Sequence, residues 1–287
     1  MAKTIADGFQ QLRKKLEITD LQEDTVSTRQ KNVRKALEDD FAIEESFLTG
    51  SYRRSTMIAP LNEADIDVFV VLDPKYYQVG GQQPLLTNVK AALRKTYKQT
   101  PDISPNGQAV TITFTDFKVD VVPGFYRKGG GFLIPDATLG RWIETDPKKH
   151  VDVTSAANKA HNGDLVPLIK MLKGWNKSRS VLRSFHLEML ALSVFTNVNI
   201  SDFPSGARFF FDKARAKINL KLPDPAGYSD DVAFHVNTQE KIHKIVERLQ
   251  WAYDRALEAE GLAGSGNITG AFGKWDAIFK GYFPAYG

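Results

Sequence analysis

The chain has 287 residues, 42% of them hydrophobic and 25% charged, enough to bury one large core or two modest lobes. It has no cysteine, which excludes disulfides, thiolate catalysis and cysteine-ligated zinc and fits a reducing compartment. With 38 Lys and Arg against 34 Asp and Glu, the net charge of +4 suits polyphosphate ligands but is too small to require a nucleic-acid partner. The start of the chain, Met1-Ala2-Lys3-Thr4-Ile5, lacks the apolar core of a signal peptide, and no apolar run could cross a bilayer. The expectation is a cytoplasmic protein with no membrane partner.

Apolar residues recur at helical spacing over residues 4–17 (Phe9, Leu12, Leu16) and 25–40 (Val33, Ala36, Leu37). The stretch Ala42 to Leu48 reads as a strand and leads into Thr49-Gly50-Ser51. There Gly50 would let the backbone approach a phosphate closely, and Ser51 with successive amides could donate to its oxygens. Taken alone, a Gly-Ser pair is an ordinary turn.

Next comes Asp65-Ile66-Asp67-Val68-Phe69-Val70-Val71-Leu72, apolar on both faces beyond Asp67 and therefore expected at the centre of a sheet. Side chains two apart on a strand share a face, so both carboxylates converge and repel unless a hard cation such as Mg²⁺ stands between them. A helix is expected from Pro84 to Lys98, then the alternating Val110 to Phe114, a tight turn at Asp116, and a second strand carrying Asp120. Gly129-Gly130-Gly131 reads as a flexible loop, with a lid as the lesser alternative.

After Pro135 the pattern turns helical, with helices expected over Leu165 to Lys177, Ser184 to Asn197, Glu240 to Ala259 and Asn267 to Tyr282. Lys170 and Lys173 stand three apart on one helical face, where a solvated pair is the plainer reading. Ser184 could cap the helix it opens. None of the five histidines has metal-ligand spacing, and His186 reads as a packed or solvated helix residue.

Three acids on apolar strands after a Gly-Ser turn resemble the polymerase-β-like nucleotidyltransferase superfamily, which implies an α+β fold. Its small mixed sheet forms one lobe beside a helical C-terminal lobe. The resemblance implies that Asp65, Asp67 and Asp120 are catalytic and hold two Mg²⁺ ions, Mn²⁺ being able to substitute, and that Gly50 and Ser51 bind nucleotide. The run Lys170-Met171-Leu172-Lys173-Gly174-Trp175, followed by Ser184-Phe185-His186-Leu187-Glu188, resembles oligoadenylate and cyclic GMP-AMP synthases. It is closer still to the cGAS/DncV-like nucleotidyltransferases of anti-phage (CBASS) operons.

That likeness implies that Lys173 and Ser184 contact a donor triphosphate and that Phe185, where many relatives carry tyrosine, stacks on the base without a hydroxyl contact. A lysine charge and a hydroxyl at a helix N-terminus both suit polyphosphate. Lacking a zinc insertion, the chain is not expected to be activated directly by DNA. Residues 1–155, with the N-terminal helices, are expected to form the catalytic lobe and 156–287 the helical nucleotide-binding lobe.

The implied activity is Mg²⁺-dependent joining of NTPs into a cyclic di- or trinucleotide messenger for antiviral signalling, with pyrophosphate released. A HORMA-type or ubiquitin-transfer-like accessory protein and a product-binding effector are the implied partners. Two readings compete: a transferase modifying an RNA 3′ end, a protein or an antibiotic, and a non-catalytic nucleotide-binding regulator. The first would want a longer basic track, the second a missing acid.

Overall fold

A computed structural model describes residues 2–100 and 102–287. The chain divides into two compact units, residues 18–151 and residues 1–17 with 152–287.

Unit 18–151 is built on a sheet of seven strands among the described residues, with β1 (Ile43–Leu48), β2 (Asp65–Leu72), β5 (Lys118–Tyr126), β4 (Ala109–Thr113) and β3 (Asp102–Asn106) side by side in that order. β2 runs antiparallel to β1 and parallel to β5, so it is flanked on both edges. A hairpin adds β6 (Phe132–Asp136) to β5 and β7 (Arg141–Thr145) to β6. The β5–β6 connection is tight: Arg127 N donates to Gly131 O at 3.1 Å, and Gly129, Gly130 and Gly131 all take the positive φ that suits glycine. The three glycines form a hairpin turn.

One face of the sheet carries Ile66, Val68 and Val70 and is covered by α2 (Asp20–Glu38), through Val26, Val33 and Leu37, and by α4 (Gln82–Thr96), through Leu86, Val89 and Leu93. α2 starts at a reciprocal cap, with Thr19 N donating to Gln22 Oε1 at 2.9 Å. The other face carries Phe69 and Val71 packed with Phe132 and Ile134, Phe47 stacking on Phe69 at 5.0 Å between centroids. Both faces of β2 are thus buried, as its apolar run implied.

The other unit is helical. α1 (Ile5–Leu16) buries Phe9, Leu12 and Leu16, each worth about 1.5–3 kcal/mol on transfer from water. Phe9 meets Trp275 edge-on at 4.8 Å and Phe283 at 5.3 Å, and Lys15 Nζ donates to Gly281 O at 2.6 Å. The first helix therefore groups with the helical unit and not with the sheet. The reason is its aromatic anchor: the partners of Phe9 lie on and beyond α10 (Ile268–Phe279). The second changeover, between Val151 and Asp152, falls inside α5 (Pro147–Ala160).

α6 (Leu165–Arg179) is buried without a break from Leu165 to Asn176, and α7 (Ser184–Phe195), α8 (Phe203–Lys217), α9 (Gln239–Gly264) and α10 complete the unit. Among the described residues no helix is long and apolar enough to cross a membrane.

Candidate active site

The register of the parallel pair brings the acids together. Asp67 is the direct partner of Asp120, Asp65 that of Lys118, and paired residues of neighbouring parallel strands point to the same face. Asp65, Asp67 and Asp120 therefore share the sheet face of Phe69, at the end where the aromatic cluster stops. Asp65 is exposed, while Asp67 and Asp120 are half-buried.

Burial pushes the Asp120 carboxyl above its usual range, and the nearby Asp65 charge pushes it further. Opposing them, the Thr111 hydroxyl, from the cross-strand partner on β4, donates to Asp120 Oδ1 at 2.6 Å and favours the charged form. Thr111 escaped the sequence reading; the alternation of Val110-Thr111-Ile112 beside the Asp120 strand is the signal that could have found it.

The Gly-Ser turn closes on the same acids. Thr49 N donates to Asp67 O at 2.9 Å, and residues Gly50–Arg53 form one helical turn, α3, whose first amides have no acceptor within the helix. Gly50 sits at φ +63°, and a Cβ built there would lie 1.7 Å from Asp67 Oδ2. The turn is wedged against that carboxylate as only glycine allows. Ser51 O is held by Thr56 N at 2.9 Å and Met57 N at 3.1 Å, which fixes the return of the chain.

No group of three or more His, Asp or Glu side chains forms a ready-made metal cage among the described residues. Mg²⁺ needs none, since one or two carboxylates and substrate phosphates commonly suffice. Oxygen-only donors and a crowded acid pair fit such an ion, and the raised proton affinity of Asp120 marks a charge that a cation would stabilise.

In the helical unit, Lys173 and Lys170 are both buried, so the solvated-pair expectation gives way. Lys170 pairs with Glu17, and Lys173 Nζ lies 3.0 Å from Glu188 Oε1, whose side chain is fully buried. Removing one member of a buried charge pair leaves the other less compensated, so Lys173→Ala should cost up to about 3–5 kcal/mol of stability, while Lys173→Met with Glu188→Leu should cost less. Denaturant melts of the two variants check this. Ser184 is exposed at the first position of α7 and does not cap it: the N-cap is Arg183, with no side-chain cap bond. His186 is packed, 2% exposed.

Residues 3–158 match the Second Messenger Oligonucleotide or Dinucleotide Synthetase (SMODS) domain. The chain belongs to this family. It is a nucleotidyltransferase of the second-messenger synthetase type, cGAS/DncV-like as its motifs suggested. This SMODS chain is 32% identical over 136 residues to a cyclic AMP-AMP-AMP synthase of Acinetobacter sp., a match covering 46% of the chain and 39% of that enzyme. A cyclic AMP-AMP-AMP synthase of Escherichia coli is 23% identical, with 85% of this chain and 84% of that one covered.

Among solved structures, E. coli CdnC with ATP superposes with a TM-score of 0.80 at 20% identity, over 98% of this chain and 99% of that one. Vibrio cholerae DncV, a cyclic AMP-GMP synthase, gives 0.70 at 16% identity, over 97% of this chain and 87% of that one. These likenesses establish the polymerase-β-like α+β fold of the SMODS chain.

Proposed function

We propose that the chain joins nucleoside triphosphates into a cyclic di- or trinucleotide, releasing pyrophosphate at each step, as the messenger of an antiviral signalling system. The observation carrying this reading is the register that sets Asp120 beside Asp67, with Gly50 against the same carboxylate. Asp65, Asp67 and Asp120 would hold two Mg²⁺ ions, or Mn²⁺ in their place. Once bound, the ions would neutralise donor phosphates and acidify the attacking hydroxyl. Gly50 and Ser51 would receive phosphate oxygens, and Asp120, oriented by Thr111, would act on the acceptor side.

Lys173 and Ser184 would contact the triphosphate and Phe185 would stack on the base, by the family likeness of their motif. Two of the relatives are named cyclic AMP-AMP-AMP synthases, which favours ATP and a ring of three. One solved structure is that of an E. coli CdnC:HORMA-deltaN complex, which favours a HORMA-type partner over a ubiquitin-transfer-like one. A product-binding effector completes the scheme.

Purified chain incubated with labelled NTPs and Mg²⁺ or Mn²⁺, with and without a HORMA-type partner, should yield a small product resistant to phosphatase. Turnover only when an RNA, protein or drug acceptor is added would replace this reading by acceptor modification. No turnover under any of these conditions would favour a regulator.

Asp120→Asn keeps Oδ1 as an acceptor for Thr111 but removes the carboxylate, and should stop synthesis while NTP binding persists. Because the Asp120 pKa is raised in the folded state, the native chain binds more protons than the unfolded one between the usual carboxylate value and the raised one. Stability therefore falls as pH rises through that window. In chelator at neutral pH, Asp120→Asn should melt no lower than the parent, and a clear drop in Tm would contradict the assigned burial cost.

A further inference from the structure

Residues 218–238, between α8 and α9, form an irregular segment that is nonetheless pinned. Asp231 Oδ1 accepts from Leu222 N at 3.0 Å and Ala233 N at 2.8 Å, and Val232 N donates to Leu222 O at 2.8 Å. Its end is tied on two sides. Lys241 Nζ donates to His235 O at 3.0 Å and Asn237 Oδ1 at 2.9 Å, and His235 Nε2 lies 3.4 Å from His186 Nδ1 with the rings edge to face.

Burial draws His186 down to about 4, helped by His235; burial also lowers His235, helped by Arg183 and Lys241 and opposed by Asp231. Burial thus disfavours the charged form of both imidazoles.

The anchors on either side hold Phe234 at the surface beside the start of α7. Phe234 is 63% exposed, and the Arg183 guanidinium carbon stands 5.3 Å from its ring centroid. A single exposed apolar side chain is normally unremarkable. This one differs because its neighbours fix it, a cation faces it, and the next residue after Arg183 is the exposed Ser184. His235 Nδ1 is buried against the Val232 backbone, which helps to fix this turn. An exposed ring thus faces a guanidinium whose chain neighbour carries an exposed hydroxyl, on a nucleotidyltransferase. Aromatic rings beside arginine are where nucleobases stack, because every base has a π-face.

We propose that Phe234, with the Arg183 guanidinium, is a stacking platform for the nucleobase of a nucleoside triphosphate. The proposal deepens the function given above and rests on that reading. It adds Phe234 and Arg183 to a site for which sequence motifs supplied only Lys173, Ser184 and Phe185. Stacking tolerates any base, so the platform governs affinity more than base choice.

Calorimetric titration of the full chain with a non-hydrolysable ATP analogue and Mg²⁺, and separately with inorganic tripolyphosphate, tests it. Phe234→Ala should weaken the analogue about tenfold or more, Phe234→Trp should restore it, and tripolyphosphate should bind all three chains alike. Parent-like affinity of Phe234→Ala for the analogue would overturn the platform, as would an equal loss for tripolyphosphate, which marks a structural effect. Failure to bind the analogue in the parent chain would overturn it too. If the parent makes no cyclic product but binds the analogue in a Phe234-dependent way, the platform stands and the cyclase reading falls. Cyclic product with Phe234-independent binding sinks the platform alone.

Discussion

The double variant Asp65→Ala with Asp67→Ala is expected to make no detectable product, a loss of at least about 10³-fold if each acid contributes what a preorganised charge contributes elsewhere. Both carboxylates stand on one strand face, with Asp120 alongside through the parallel register. Removing them leaves one carboxylate, Asp120, where three are assigned to hold two ions. The fold should not suffer. Asp65 is exposed, Asp67 half-buried, and the strand is held by Ile66, Val68 and Phe69, which the variant leaves in place. Without metal, removing like charges should leave Tm unchanged or slightly higher. The checks are labelled-NTP turnover and a melt in chelator. Synthesis near the parent rate would end the assignment of these acids, and a collapsed fold would show that the pair is structural.

The triphosphate grip assigned to Lys173 needs a subtler test, because Glu188 holds the same ammonium. If Lys173 binds the triphosphate, Lys173→Met with Glu188→Leu should bind a non-hydrolysable NTP more weakly by about 1–3 kcal/mol, the range for a charge-assisted hydrogen bond. Equal affinity would return the pair to a purely structural role.

Why the acids of the sheet unit are readable and the lysines of the helical unit less so follows from periodicity. Asp65 and Asp67 break an otherwise apolar alternation, so a period of two places them on one face without any knowledge of partners. β2, α4, α6, α7 and α9 form close to where the apolar spacing puts them. Partnership across the sheet is another matter. That Asp67 faces Asp120, and that Thr111 reaches Asp120, depends on a parallel register set by tertiary packing.

The β6–β7 hairpin was lost among helical expectations because Phe132–Asp136 and Arg141–Thr145 are short strands, and Pro135 reads as a breaker. α8 opens with Phe203-Pro204-Ser205-Gly206, which masks a helix whose cap is Asp202 accepting from Ser205 N at 2.8 Å. Charge misled at Lys170 and Lys173: lysines three apart usually face water, but here the partly exposed α1 C-cap Glu17 and the buried Glu188 claim them.

Gly50→Ala is expected to cut synthesis by about a hundredfold, the penalty of misplacing a reacting group by an ångström, with only a modest loss of stability. The three atoms nearest the added methyl are Asp67 Oδ2 at 1.7 Å, Cγ at 2.7 Å and Cβ at 3.2 Å, so the clash falls on one side chain. Either that carboxylate turns away or the Thr49–Ser51 backbone lifts off it, and both outcomes separate the phosphate turn from the acids. The left-handed φ of +63° adds roughly 1 kcal/mol of backbone strain.

Gly80→Ala supplies the control, since Gly80 has a similar φ of +74° in the same unit and nothing within 4 Å of its Cβ. It should lose a like amount of stability and keep its activity. Combining Gly50→Ala with Asp67→Ala should recover part of the stability that Gly50→Ala loses, because the second change removes the atoms the methyl strikes; that non-additivity is the signature of direct contact. Turnover of Gly50→Ala equal to that of Gly80→Ala would show that the turn and the acids work independently.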